Sequence, residues 1–128
     1  MHADTRRPLR VVIADDERDT VLTLMTLLEE EGCQVRGLYG GAQVPDTVRD
    51  FRPDAVLVDL GMPDKSGFQI AQEIRSRPGG ELPVLIAISG RFKGGSDRIL
   101  SELVGFDHHL AKPYDLSTLL RLLAPLSI

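Results

Sequence analysis

The stretch Ala55-Val56-Leu57-Val58-Asp59-Leu60-Gly61-Met62-Pro63-Asp64-Lys65-Ser66-Gly67 constrains the fold more than any other part of the chain. An unbroken apolar run, Ala55 to Val58, ends abruptly in a carboxylate, and Gly61, Pro63 and Gly67 follow closely. Aliphatic and β-branched residues without alternation predict a strand buried on both faces, the parallel-sheet kind. The glycines and the proline then stop the strand and make a loop. Asp59 therefore falls at the carboxyl end of an interior strand, where open α/β sheets place their ligands. A carboxylate buried there has to be paired, metal-bound or reactive, because burying it alone is costly.

The rest of the chain repeats this strand-then-helix grammar. Met1 to Pro8 reads as a loose polar tail, with Arg6-Arg7 as a solubilising charge. A first strand, Leu9 to Ala14, ends in Asp15-Asp16-Glu17. The helix after it carries Val21, Leu24, Met25 and Leu28 on one face at helical period, with Asp19 or the acids before it as caps. Cys33 to Leu38 gives a short strand, Gly40-Gly41 a turn, and Ala42 to Phe51 a helix with Pro45 in its first turn. After the central strand, Phe68, Ile70, Ala71 and Ile74 mark a third helix. Val84 to Ile88 is a fourth strand ending in Ser89-Gly90, followed by a loop to Gly95 and a helix from about Ser96 to Val104. Phe106 to Ala111 is the fifth strand, ending in Lys112-Pro113, and Asp115 is the expected cap of a last helix striped by Leu116, Leu119, Leu120 and Leu123.

Five strands alternating with five helices predict a doubly wound α/β fold, a parallel sheet covered on both faces. Right-handed crossovers favour the flavodoxin-like strand order 2-1-3-4-5. A length of 128 residues suits one domain, assigned to residues 9–128 behind a tail of residues 1–8. With 15 basic against 19 acidic residues the formal net charge is −4, which argues against a basic nucleic-acid footprint. One cysteine, Cys33, allows no intrachain disulfide and fits a reducing compartment. No apolar run suggests a signal peptide or a membrane span, so a cytoplasmic location is expected.

The predicted order brings Asp15-Asp16, Asp59, Ser89 and Lys112 to one crevice. Clustered carboxylates repel each other unless a cation neutralises them. Mg²⁺ takes one or two carboxylates and keeps several waters. Held by Asp16 and Asp59, with Asp15 acting mainly through water, it would leave room for a phosphate oxygen that Lys112 and Ser89 could also meet. That arrangement suits phosphoryl transfer to a carboxylate nucleophile.

Asp15-Asp16, Asp59 with Met62-Pro63 and Gly67, Ser89-Gly90 and Lys112-Pro113 together make the chain resemble the receiver domain of two-component response regulators, over nearly its whole length. The resemblance implies that Asp59 accepts a phosphoryl group from a histidine kinase or histidine phosphotransfer protein, with Mg²⁺ required. It implies that Asp15 and Asp16 are metal-site acids, that the Gly61 backbone carbonyl is a further metal ligand, that Ser89 is the switch hydroxyl and that Lys112 binds the phosphoryl group. Gly105 to Pro113 resembles receivers that work with hybrid histidine kinases. His109 stands where the family's switch places an aromatic ring, which adds an expectation of pH sensitivity. The output implied is a surface change felt by a downstream protein, without direct nucleic-acid or membrane contact. A homodimer could use the face made by the Ser96–Val104 helix, the fifth strand and the last helix, with Leu122 and Leu126 widening its apolar stripe. Gly61 and Arg91, beside the site, suggest slow-to-moderate loss of phosphate.

Simpler readings compete residue by residue. Asp15 and Asp16 alone would pass as helix caps, and Asp59 alone as a loop acid. His108 and His109 on one strand point to opposite faces, so one is expected to pack and the other to meet solvent. Arg91 and Lys93 lie in a loop without phosphate-loop order. Two other functions remain as alternatives: an unphosphorylated protein-binding module of the same fold, and an aspartate-nucleophile phosphatase. The phosphatase wants an acid two residues after the nucleophile, where this chain has Gly61. The chain is thus read as a switch rather than an enzyme, catalysing at most its own phosphorylation and dephosphorylation.

Overall fold

A computed structural model describes residues 7–77, 82–90 and 105–126. Its elements are β1 (Arg10–Ala14), α1 (Arg18–Glu30), β2 (Gln34–Leu38), α2 (Val44–Phe51), β3 (Ala55–Asp59), α3 (Gly67–Arg75), β4 (Val84–Ser89), β5 (His108–Ala111) and α4 (Leu116–Leu123), with a 3₁₀ turn at Ala124–Leu126. The expected helix at Ser96 to Val104 and the residues Arg91 and Lys93 lie outside the described residues. Among the described residues there are four α-helices, and no helix is long and apolar enough to cross a membrane.

The five strands form one parallel sheet in the order β2-β1-β3-β4-β5. All five residues of β3 are buried, as the unalternating apolar run requires. Successive side chains leave a strand on opposite faces. Leu57 accordingly joins Val11, Ile13, Ile86 and the buried faces of α1 and α4, while Val56 and Val58 join Val12, Ala14, Leu85 and the apolar sides of α2 and α3. On α1 the buried residues are Val21, Leu24 and Leu28, and on α3 they include Ile70, Ala71 and Ile74. Two cores therefore sandwich the sheet, and its strand ends are held in register.

Element ends depart from the sequence reading where local hydrogen bonds decide. Glu17 takes the N-cap position of α1 and Asp115 that of α4, yet neither side chain bonds the helix amides. Asp115 serves through its carbonyl, which accepts from Thr118 and Leu119. A complete capping box forms instead at α3, where Ser66 and Gln69 satisfy each other's backbone N–H groups. Gly67 follows it as the first helical residue, and a methyl there would lie 2.5 Å from Leu60 Cδ2.

Arg7 is more than a solubilising charge. Its guanidinium forks onto Asp54, with nitrogen–oxygen distances of 2.6 and 2.9 Å, and the same carboxylate accepts the Arg10 N–H at 2.9 Å. Burial pushes the Asp54 carboxyl up, but the bonds from Arg7 and Arg10 outweigh it and hold the group below its ordinary value of 3.8. A depressed carboxyl adds stability above the unfolded-state value and loses it as pH falls through the folded one. Asp54→Ala is expected to lower stability by about 1–3 kcal/mol at neutral pH, the cost of stranding donors that faced a charged acceptor. Urea denaturation at a series of pH values checks this, and the gap from wild type should shrink in acid.

Candidate functional site

The carboxyl ends of β1, β3, β4 and β5 lie at the same end of the parallel sheet, and each delivers one polar group. Asp15 follows β1, with its own N–H bonded to Leu38 O across the edge of the sheet at 3.1 Å. Asp59 closes β3 and pairs in register with Ile88. Ser89 closes β4 opposite Ala111, and its carbonyl accepts the Lys112 N–H at 2.9 Å. Asp15, Asp59 and Ser89 are the buried polar residues at these ends, each less than a tenth exposed.

Lys112 holds the acids together. Its Nζ lies 3.0 Å from Asp15 Oδ2, 3.6 Å from Asp59 Oδ2 and 3.9 Å from Glu17 Oε1. Its stem runs over Gly90, where an added methyl would come 3.3 Å from Lys112 Cδ. Burial opposes the ammonium, but Asp15, Asp59 and Glu17 outweigh that and hold its pKa above the ordinary 10.5. Asp59 is displaced the other way. Burial is the largest cause, and the Asp15 charge adds to it, so the carboxyl sits above 3.8 despite the Gly61 N–H and Lys112.

Each buried acid also anchors to the backbone. Asp59 Oδ1 accepts the Gly61 N–H at 2.9 Å, and Asp15 Oδ1 accepts the Glu17 N–H at 3.0 Å. The second oxygen of each faces Lys112. Asp16, exposed beside them, completes a group in which one carboxylate oxygen from each of Asp15, Asp16 and Asp59 lies within 4.8 Å of the others. Three carboxylates with one lysine against their charge are hard oxygen donors of the kind that would hold Mg²⁺.

The structure therefore brings together Asp15, Asp16, Asp59 and Lys112, with Ser89 on the adjoining strand end. His109 is half-buried on β5 and His108 is exposed, the division expected of neighbours on one strand. Gly61 meets Asp59 through its N–H. Two residues near the centre are not singled out by sequence. Glu17 approaches Lys112, its only signal being third place in the acidic run. Tyr114 is half-buried, and burial raises its hydroxyl above 10.0, with Lys112, Asp15 and Asp59 close enough to be felt.

Residues 11–124 match the family described as the response regulator receiver domain. This chain belongs to that family. It is 33% identical over 113 residues to response regulator MprA of Mycobacterium sp. (strain KMS) and 31% identical over 112 residues to response regulator MprA of Mycobacterium avium (strain 104). Each alignment covers 88% of this chain and 48% of the relative, so the receiver spans about half the length of these relatives. Among solved structures it is similar to a signal receiver domain of Bermanella marisrubri, with a TM-score of 0.83, 22% identity and coverage of 94% and 98% of the two chains. A CheY-like receiver domain of Methylobacillus flagellatus is similar with a TM-score of 0.78, 25% identity and coverage of 94% and 100%. The first likeness speaks for the shared fold alone.

Proposed function

We propose that this receiver is a phosphorylation switch in which Asp59 is the phosphoacceptor. The observation that carries the reading is the placement of Asp59. A buried carboxylate ends the central strand with an ammonium 3.6 Å away and two further acids within 4.8 Å. Its Oδ1 is fixed by the Gly61 N–H, which leaves Oδ2 on the Lys112 side as the attacking atom.

The donor is the phosphohistidine of a histidine kinase or histidine phosphotransfer protein. Oδ2 attacks phosphorus, the P–N bond breaks, and its electron pair returns to the donor imidazole. The product on this chain is an acyl phosphate. Asp15, Asp16 and Asp59, with the Gly61 carbonyl, would hold Mg²⁺, which supplies neutralisation of phosphoryl charge when bound. Lys112 then releases Asp59 and meets a phosphoryl oxygen with its ammonium, as charge-assisted bonds favour. The Ser89 hydroxyl donates to another oxygen, and His109 responds on the neighbouring strand. Replacing one carboxylate by a group with more charge and more acceptor atoms alters the surface around β4 and β5. A downstream protein, or a second receiver copy, reads that surface, with the cytoplasm as the place of action.

Intact-mass spectrometry after incubation with acetyl phosphate tests the proposal. A single phosphoryl adduct that forms with Mg²⁺ and disappears with a chelator is the expected result. Absence of an adduct, together with no Mg²⁺-induced amide shifts at Asp59 and Gly61, would overturn it in favour of an unphosphorylated binding module.

A further inference from the structure

Asp64 lies in the loop between Asp59 and α3, exposed to solvent, and makes no ion pair among the described residues. Both its oxygens are nevertheless committed. Oδ1 accepts the Gly41 N–H at 2.9 Å and Oδ2 the Ala42 N–H at 3.0 Å, across the gap to the loop that follows β2. These bonds, Gly41 first, hold its carboxyl below the ordinary 3.8 despite a small opposing effect of desolvation.

The two loops are shaped for this approach. A methyl on Gly40 would come 3.0 Å from Asp64 Oδ2, and one on Gly41 would come 2.7 Å from Ile70 Cδ1 and 3.1 Å from the Lys65 carbonyl. Gly40-Gly41 thus does more than turn the chain: it lets the second loop lie against the first. Lys65, the residue after Asp64, is in turn tied to Glu73 of α3.

Followed through the site, these contacts close a ring. The Asp15 N–H bonds Leu38 O at the end of β2. Three residues later the chain reaches Gly41, which Asp64 grips. Three residues back from Asp64 is Gly61, whose N–H bonds Asp59 Oδ1. The two buried acids, Asp15 and Asp59, stand on adjacent strands and are joined a second time through Asp64. We infer that Asp64 is a positioning residue for the phosphorylation site: it fixes the loop that carries Gly61 and so sets the spacing of the Mg²⁺-binding acids. This rests on reading Asp59 as a phosphoacceptor with a metal beside it. Contacts that orient ligating groups commonly change metal affinity 10–100-fold when removed.

The experiment is an amide NMR titration of the full chain with Mg²⁺, for wild type, Asp64→Ala, Asp64→Asn and Asp54→Ala. Asp64→Ala is expected to weaken Mg²⁺ about tenfold. Asp64→Asn keeps the volume and one acceptor oxygen and should fall between it and wild type. The rate of acyl phosphate formation at sub-saturating Mg²⁺ should drop in step and recover when Mg²⁺ is raised. Asp54→Ala, which breaks a clamp at the opposite end of the sheet, should lose stability with Mg²⁺ affinity unmoved. Asp64 variants that lose stability while their Mg²⁺ affinity stays at the wild-type value would overturn the inference. If Asp64→Ala does not fold, Asp64→Asn decides by the same criterion. A wild type that takes up no Mg²⁺ overturns this inference, and the phosphoacceptor reading with it where no acyl phosphate forms either. A wild type that binds Mg²⁺ and is phosphorylated, beside unaffected Asp64 variants, overturns this inference alone.

Discussion

Asp59→Asn is expected to abolish the phosphoryl adduct and, in chelated buffer at neutral pH, to raise the urea midpoint. The loss follows from chemistry, since an amide oxygen is too weak a nucleophile to take the place of the carboxylate. The gain follows from the site's electrostatics. Burial and the neighbouring Asp15 charge push the Asp59 carboxyl up, which means the folded state disfavours its ionised form. A group whose folded pKa is raised loses stability as pH climbs from the unfolded value through the folded one, so the penalty develops on the way to neutral pH. Asparagine carries no charge and can still accept the Gly61 N–H through its carbonyl oxygen. The opposing loss is the attraction between Lys112 and Asp59 at 3.6 Å, longer than the 3.0 Å contact that Lys112 keeps with Asp15. Because the net displacement of Asp59 is upward, burial and repulsion outweigh that attraction. Mass spectrometry reads the first effect and urea denaturation the second. Adduct formation in Asp59→Asn would move the phosphoacceptor to another residue, and a lowered midpoint would assign Asp59 a net stabilising role.

What sequence reveals of this molecule follows the range of the interactions involved. β3 is legible because a run of aliphatic residues has one economical fate, burial on both faces, and the Gly-Pro-Gly loop ends it at a fixed point. Once β3 is placed, right-handed crossovers leave few strand orders, and the four polar strand ends share a crevice almost by necessity. The observed order and the meeting of Asp15, Asp16, Asp59 and Lys112 follow from those local patterns.

Caps are less legible, because an acid at a helix start can bond the helix, a neighbour or water at similar cost. Asp15 illustrates this. It precedes α1 and does accept the Glu17 N–H, yet its other oxygen goes to Lys112, 97 residues away. The Arg7–Asp54 fork, 47 residues apart, and the Asp64 grip on Gly41, 23 apart, leave no periodic trace in the chain. Gly40-Gly41 does signal something local, but a turn and a close approach of two loops demand the same residue type. Only the fold separates them.

Lys112→Ala separates metal binding from phosphoryl transfer. In the unphosphorylated site Lys112 neutralises the carboxylates that would hold Mg²⁺, touching Asp15 at 3.0 Å and standing near Asp59 and Glu17. Removing that ammonium leaves the acids without their resident cation, so Mg²⁺ is expected to bind more tightly. Phosphoryl transfer is expected to move the opposite way. Loss of one preorganised charged donor at a site of developing anionic charge costs about a hundredfold or more in rate. The defect should persist at saturating Mg²⁺ if the missing group is, as proposed, the one that meets the phosphoryl oxygen. Asp64→Ala differs on both counts, with weaker Mg²⁺ and a rate that excess Mg²⁺ restores. Measuring Mg²⁺ affinity and the saturated rate of acyl phosphate formation in both variants therefore distinguishes a residue that acts on the phosphoryl group from one that holds the acids in place. A Lys112→Ala protein with unchanged rate at saturating Mg²⁺ would reduce Lys112 to a counter-charge for Asp15.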